Sequence, residues 1–257
     1  MSTVQPKQKR WLTIGLAIMV FALVSFSMMP LISSFFLASN QTHSASSPLM
    51  SKLESEALGY QMVLQREPEN QNALRGLLET DLKLGHLNEV IAPLEKLTQL
   101  NPEQTDYPLL LGRVQQQIQN YEGASTTYQT LLASHPGEMR ALKGWVDLLL
   151  LQNKSSEAID LVQKQIGQTK QIDPNSLELL LGEIYVEQEQ WDQALAIYNQ
   201  AIQADPQDFR PVLAKALVLQ QQGQTEANPL FEKAITLAPL PYKDGIQRMI
   251  NRNQKGT

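Results

Sequence analysis

The sequence predicts an all-α fold: an α-solenoid of about five stacked helix pairs plus flanking helices, behind an N-terminal transmembrane helix. Three observations predict it. From residue 51 onward the apolar residues fall at helical spacing, without the period-two alternation of a half-buried strand. Prolines recur at Pro68, Pro102, Pro136, Pro174, Pro206 and Pro239, separated by 34, 34, 38, 32 and 33 residues. Ahead of them lies Trp11 to Ala38, a run with no charged residue.

The chain opens with a basic tail, residues 1–10, in which Lys7, Lys9 and Arg10 meet no acidic residue. Residues 11–38 read as an anchor. About 20 apolar residues cross a bilayer core, and Trp11 to Met29 suffices before Pro30 interrupts. A cleaved secretory signal is the competing reading. Its apolar region is usually about 7–15 residues, and cleavage after Ala38 would put bulky Phe36 where a small side chain is expected. The basic residues precede the anchor and the next one is Lys52. The positive-inside bias therefore keeps the N-terminus cytoplasmic and places the body on the periplasmic or lumenal side of a single-pass membrane protein. Residues 39–50 read as a flexible linker because SNQTHSASSP, at their start, is small and polar, His43 being a solvated residue within it.

The body, residues 51–241, is the repeat array. Each proline ends an apolar helical stretch, as in TQLNP, AIQADP and ITLAP, and so marks a turn between repeats. The clearest unit is LLLGEIYVEQEQWDQALAIYNQAIQADP. Leu181, Gly182 and Tyr185 mark one face of its first helix, and Ala194, Tyr198 and Ala201 one face of its second. Large and small residues alternate because two closely crossing helices need a small side chain wherever the other inserts a large one.

This pattern resembles the tetratricopeptide repeat (TPR) family, whose motif runs Leu-Gly, Tyr, Ala, Tyr or Phe, Ala, Pro over about 34 residues. The unit ending at Pro136 matches at Leu111, Gly112, Ala124, Tyr128 and Leu131, and the last at Ala216, Gly223, Ala227, Phe231 and Ala234. The unit ending at Pro102 matches more weakly, at Leu77, Leu78, Gly85, Val90, Leu94 and Leu97. The unit ending at Pro174 departs most, keeping Trp145, Val146, Ala158 and Val162 before a four-residue insertion near GQTKQI. Residues 51–66 match only a second helix and would cap the first repeat. Residues 242–257 read as a polar capping helix and tail.

The resemblance implies that the first helix of each pair lines a concave groove that takes a protein or peptide segment. It maps the groove onto Arg75, Glu79, Arg113, Arg140, Lys143, Asp147, Leu179, Glu183 and Leu213. TPR domains that hold acidic chaperone C-termini use Lys and Asn residues. Here Glu79 and Arg113 stand where Asn is needed, which argues against that clamp. Arg75, Arg113, Arg140 and Lys143 are candidates to grip an acidic or C-terminal segment. The alternative is that they are ordinary solvated surface charges.

Composition excludes other classes. Residues 1–50 carry three basic and no acidic residues, leaving 18 basic and 26 acidic in the remainder of a chain of net charge −5. An acidic body argues against nucleic acid, which needs a concentrated basic surface. Cysteine is absent, which removes thiol chemistry and sulfur-ligated zinc. His43, His86 and His135 are scattered, and no glycine-rich phosphate loop is present. No catalytic residue, metal, cofactor or small-molecule substrate is expected. The basic tail plus anchor, ESEALGYQMVLQREPENQNALRGLLE and QDFRPVLAKALVLQQQG are similar to membrane-tethered TPR proteins of cyanobacteria and plastids, of the slow-greening type. That resemblance implies assembly or biogenesis of photosynthetic membrane complexes at the thylakoid. Other readings of the same scaffold are a cell-envelope role in secretion, pili or cytochrome maturation, a regulatory subunit of a membrane enzyme, and a homo-oligomer.

Overall fold

The computed structural model describes residues 48–168 and 170–254. Among them are twelve helices and no strand: α1 (Pro48–Arg66), α2 (Gln71–Leu84), α3 (Ile91–Leu100), α4 (Asp106–Gln117), α5 (Tyr121–Ser134), α6 (Met139–Leu151), α7 (Ser155–Gln168), α8 (Pro174–Glu187), α9 (Trp191–Ala204), α10 (Phe209–Gln221), α11 (Ala227–Leu237) and α12 (Leu240–Gln254). In chain order these are one flanking helix, five pairs and a second flanking helix, as the repeat pattern predicts. The basic tail, the apolar segment 11–38 and residues 39–47 lie outside the described residues. Among the described residues no helix is long and apolar enough to cross a membrane.

The described chain forms two compact units, residues 48–154 and residues 155–254. In the first, α1 packs on α2, and each later helix packs on its neighbour in sequence. Leu74, Leu78, Val90, Leu94, Leu97, Leu111 and Val114 form its core around α2, α3 and α4. In the second, α8 packs on α9 and α10 on α11, while α10 also touches α8. One cluster there joins Leu179, Val186, Ala194, Tyr198, Ala214 and Val218, and another surrounds Phe209, Val212, Leu213, Phe231 and Ile246.

Short polar side chains start several helices. Asn70, Asn120 and Asp173 each accept a hydrogen bond from a backbone N–H three residues on, satisfying a donor that the first turn leaves free. The turn inside each pair carries a left-handed residue: Gly85, Gln119, Asn153, Glu189 and Gly223, spaced by 34, 34, 36 and 34 residues. These residues give a cleaner register than the prolines and correct two expectations. The insertion after the third repeat is two residues, because the turns on either side of it stand 36 apart. Pro174 marks no inter-repeat turn but opens α8 behind its Asp173 cap. Proline is favoured there because the first helical turn has no use for its missing N–H.

Both ends differ slightly from expectation. Pro48 to Met50, expected within the linker, are helical, and α12 starts at Leu240, before residue 242. α12 is also less polar in its contacts than its composition suggests. Ile246 and Met249 are buried, and Tyr242 stacks near Phe209 with ring centroids 5.3 Å apart.

Candidate functional site

The first helices of the pairs carry every residue mapped to the groove. In the first unit these are α2, α4 and α6. On α2, Arg75 is exposed and donates to Asn72 Oδ1 at 2.9 Å, and Glu79 is exposed beside Lys83. On α4, Arg113 is exposed and makes neither a hydrogen bond nor a close ion pair among the described residues. On α6, Lys143 Nζ lies 3.9 Å from Asp147 Oδ1, one helical turn on. The protein packed around the Asp147 carboxyl pushes it up from its ordinary pKa, although half of the side chain still meets solvent, while Lys143 and Arg113 pull against that shift. Arg113 and Asp147 are thus electrostatic neighbours across α4 and α6.

Arg140 is differently employed. Its guanidinium donates to Asp106 Oδ1 at 2.8 Å, to Thr105 Oγ1 at 2.9 Å and to both oxygens of Glu138 at 2.9 Å. A guanidinium carries five N–H donors, so Arg140 has little left for a partner and acts as a tie between α4 and α6. The basic stretch is therefore reduced to Arg75, Arg113 and Lys143.

A side chain absent from the sequence-based site lies beneath Arg113. Tyr128, from α5, is 1% exposed. Its ring occupies the space that side chains on Gly112 and Gly144 would fill: a Cβ on either glycine would lie 2.7 Å from ring carbons, and one on Gly144 2.9 Å from the hydroxyl. The ring is wedged between α4 and α6 at paired glycines. Its hydroxyl is buried without a hydrogen-bond partner. Burial pushes the phenol up to about 12, Arg113 pulls it down and Asp147 adds to the rise. The Gly112–Tyr128 half of this wedge was legible in the motif. Gly144, and the equivalent Gly76 against Tyr60, were missed because they contact the tyrosine of the preceding repeat.

In the second unit the three mapped positions are not open groove. Leu179 is 3% exposed and Leu213 is 1% exposed. Leu179 belongs to the cluster that joins α8 to α10, and Leu213 packs among Phe209, Ala216 and Ile246. Neighbouring first helices approach closely enough to cover these apolar side chains, which makes both leucines core. Glu183 is partly buried next to Tyr198, whose phenol is raised first by burial and then by the Glu183 charge.

Among the described residues no group of three or more His, Asp or Glu could hold a metal ion. Residues 109–171 match the family model described as tetratricopeptide repeat, and residues 182–223 the one described as TPR repeat. The chain carries tetratricopeptide repeats. The chain is 26% identical over 194 residues to the protein SLOW GREEN 1, chloroplastic, of Arabidopsis thaliana, covering 74% of this chain and 61% of that one. It is 28% identical over 142 residues to Cellulose synthase operon protein C of Pseudomonas fluorescens (strain SBW25), covering 53% of this chain and 11% of that one. The chain thus spans about three fifths and about a tenth of the length of these two relatives. Among solved structures, yeast Tom70 superimposes with a TM-score of 0.52 at 13% identity, over 95% of this chain and 47% of that one. At that identity the likeness concerns the fold alone.

Proposed function

We propose that this TPR chain is a membrane-tethered scaffold that holds a segment of another protein, in the service of assembling photosynthetic membrane complexes. One observation carries the binding part. On the first-helix face of the first unit, Arg113 is an exposed cation without a hydrogen bond or close ion pair among the described residues, flanked by Lys143 and Asp147. An exposed cation on that face is available to an incoming carboxylate, whereas Arg140 shows how the same fold employs an arginine structurally. The tether is the apolar run Trp11 to Ala38 behind Lys7, Lys9 and Arg10. The similarity to a chloroplastic TPR protein supports the photosynthetic part.

The test is a photo-crosslinking amino acid placed at Glu79, the exposed groove position one repeat before Arg113, in the full chain, in membranes of its native host, with Lys233 on α11 as the control site. Cross-links from position 79, and not from 233, to a subunit of a photosynthetic complex are expected. Equal yields from both sites would sink the groove reading. Cross-links from 79 to export machinery would select the cell-envelope reading instead.

A further inference from the structure

We propose that Arg113 and the hydroxyl of Tyr128 form a carboxylate-binding subsite between the second and third repeats. This inference rests on the scaffold reading and states what the bound segment presents at that point.

The two units hold two versions of one local arrangement. Tyr198 and Tyr128 occupy the same repeat position, each reaching from a second helix onto a glycine of its first helix, Gly182 and Gly112. Both rings are buried, 2% and 1% exposed. One residue after each glycine the chain diverges. In the fourth repeat that residue is Glu183, so the chain itself supplies a carboxylate beside the Tyr198 phenol. In the second repeat it is Arg113; the carboxylate whose charge acts on the Tyr128 phenol, Asp147, comes from the next repeat, and the hydroxyl has no hydrogen-bond partner. Buried hydroxyls are paired in the large majority of cases, so an orphan next to an exposed cation marks a place for a ligand atom. Two donors stand there unused, a guanidinium and a phenol. An acceptor with two oxygens satisfies both, one oxygen on each, in charge-assisted hydrogen bonds.

Charge agrees with this. Arg113 and Lys143 face the carboxylate of Asp147, which is held 3.9 Å from Lys143. These three side chains together carry one net positive charge, in a body that is otherwise acidic. Asp147 orders the two cations and weakens their pull on an incoming anion. The Tyr128 hydroxyl is itself buried, and the side chains of Arg113 and Asp147, whose charges act on it, are exposed, so the subsite requires them to move aside as the carboxylate enters. The carboxylate comes from an Asp or Glu side chain or from a chain terminus, the chemistry being the same.

The experiment uses the full chain in detergent with three fluorescein-labelled glycine–serine peptides, read by polarisation. One is amidated and uncharged, one has a free C-terminal carboxylate, and one is amidated with an internal glutamate. Binding of either carboxylate peptide over the uncharged one is expected, and which of them binds tells terminus from side chain. Tyr128→Phe keeps the wedged ring and should melt no lower than wild type. It should weaken binding about tenfold, as the loss of a hydrogen bond to a charged group does. Arg113→Gln should abolish binding, and Asp147→Asn should tighten it. Equal binding of all three peptides, no binding, or an unchanged Tyr128→Phe affinity each overturns the subsite. Position-79 cross-links persisting under any of those results would leave the scaffold reading standing alone.

Discussion

Arg210 reaches back 37 residues to Asp173, with Nη2 2.8 Å from the carboxylate, while Asp208 grips the same guanidinium from two residues before it. Arg140 repeats the arrangement in the other unit, bonded to Asp106 and Glu138. In both, the acid two residues earlier also accepts the arginine's own backbone N–H at the helix start. One side chain thus ties the first helix of a repeat to the first helix of the repeat before. The Arg210 side chain is 23% exposed and that of Arg140 48% exposed. Arg210→Ala should therefore cost about 3 kcal/mol, near the cost of breaking a buried pair, and Arg140→Ala about 1 kcal/mol, as for exposed pairs. Urea denaturation followed by circular dichroism measures both. Equal losses would mean that burial does not set the strength of these ties.

The same tie predicts an acid limb. Burial alone would raise the pKa of Asp208 and of Asp173. The hydrogen bonds and charge of Arg210, with help from Asn175 and Ser176, outweigh it and hold both below the usual carboxylate range. A carboxylate depressed in the folded state stabilises fully above its unfolded pKa, about 4. That contribution is lost as pH falls through the lower folded value. The urea midpoint should accordingly hold from about pH 7 to 5 and fall below about pH 4. Arg210→Ala should flatten that fall, and an unchanged acid limb in the variant would assign it to other groups.

Of the five left-handed turn residues, Gln119, Asn153 and Glu189 are not glycine, with φ of 63°, 59° and 57°. Left-handed backbone costs an L-residue roughly 1–2 kcal/mol, and asparagine tolerates it best. Glu189→Gly and Gln119→Gly should each raise stability by about 0.5–1 kcal/mol after the added entropy of the unfolded glycine is subtracted. Asn153→Gly should gain less. Gly85→Ala, at φ 76°, should lose a similar amount. Thermal melts of the four variants test the ordering, and a Glu189→Gly that melts below wild type contradicts it.

Close helix approach leaves a plain mark on sequence, which is why the repeat is legible there. Gly112 and Gly182 must be small because the rings of Tyr128 and Tyr198 lie where a Cβ would stand, and Ala124 and Ala194 are fully buried small residues one turn before those tyrosines. The candidate site was less legible. Leu179 and Leu213 are apolar on the first-helix face, and the pattern alone cannot say whether a neighbouring helix covers them. Arg140 looks like any groove cation until Asp106, 34 residues earlier, is found beside it. The Tyr128 hydroxyl was invisible in the motif, which selects the ring for its size.

The glycine–tyrosine wedge is itself open to test. A Cβ on Gly182 would overlap the ring of Tyr198, which is only 2% exposed and cannot swing away. Gly182→Leu should then force α8 and α9 apart and lower stability by about 1–3 kcal/mol through overpacking. A Cβ on Gly59 would meet nothing within 4 Å, so Gly59→Leu is the matched control and should be nearly neutral. A Gly182→Leu variant as stable as that control would mean that the two helices are not in close register.

On the proposed tethering, the side of the membrane that the array faces determines which proteins can reach Arg113. The three basic residues before the apolar run, and none after it until Lys52, favour a cytoplasmic N-terminus. Protease added to sealed membranes should then leave the array intact, and detergent should expose it to digestion. Under that outcome the partner segment is exported or lumenal, and the carboxylate at Arg113 belongs to a protein that has crossed the bilayer. Digestion without detergent reverses the orientation. The array would then meet membrane proteins on the side where they are made, and the cross-linking at position 79 should be repeated on nascent chains.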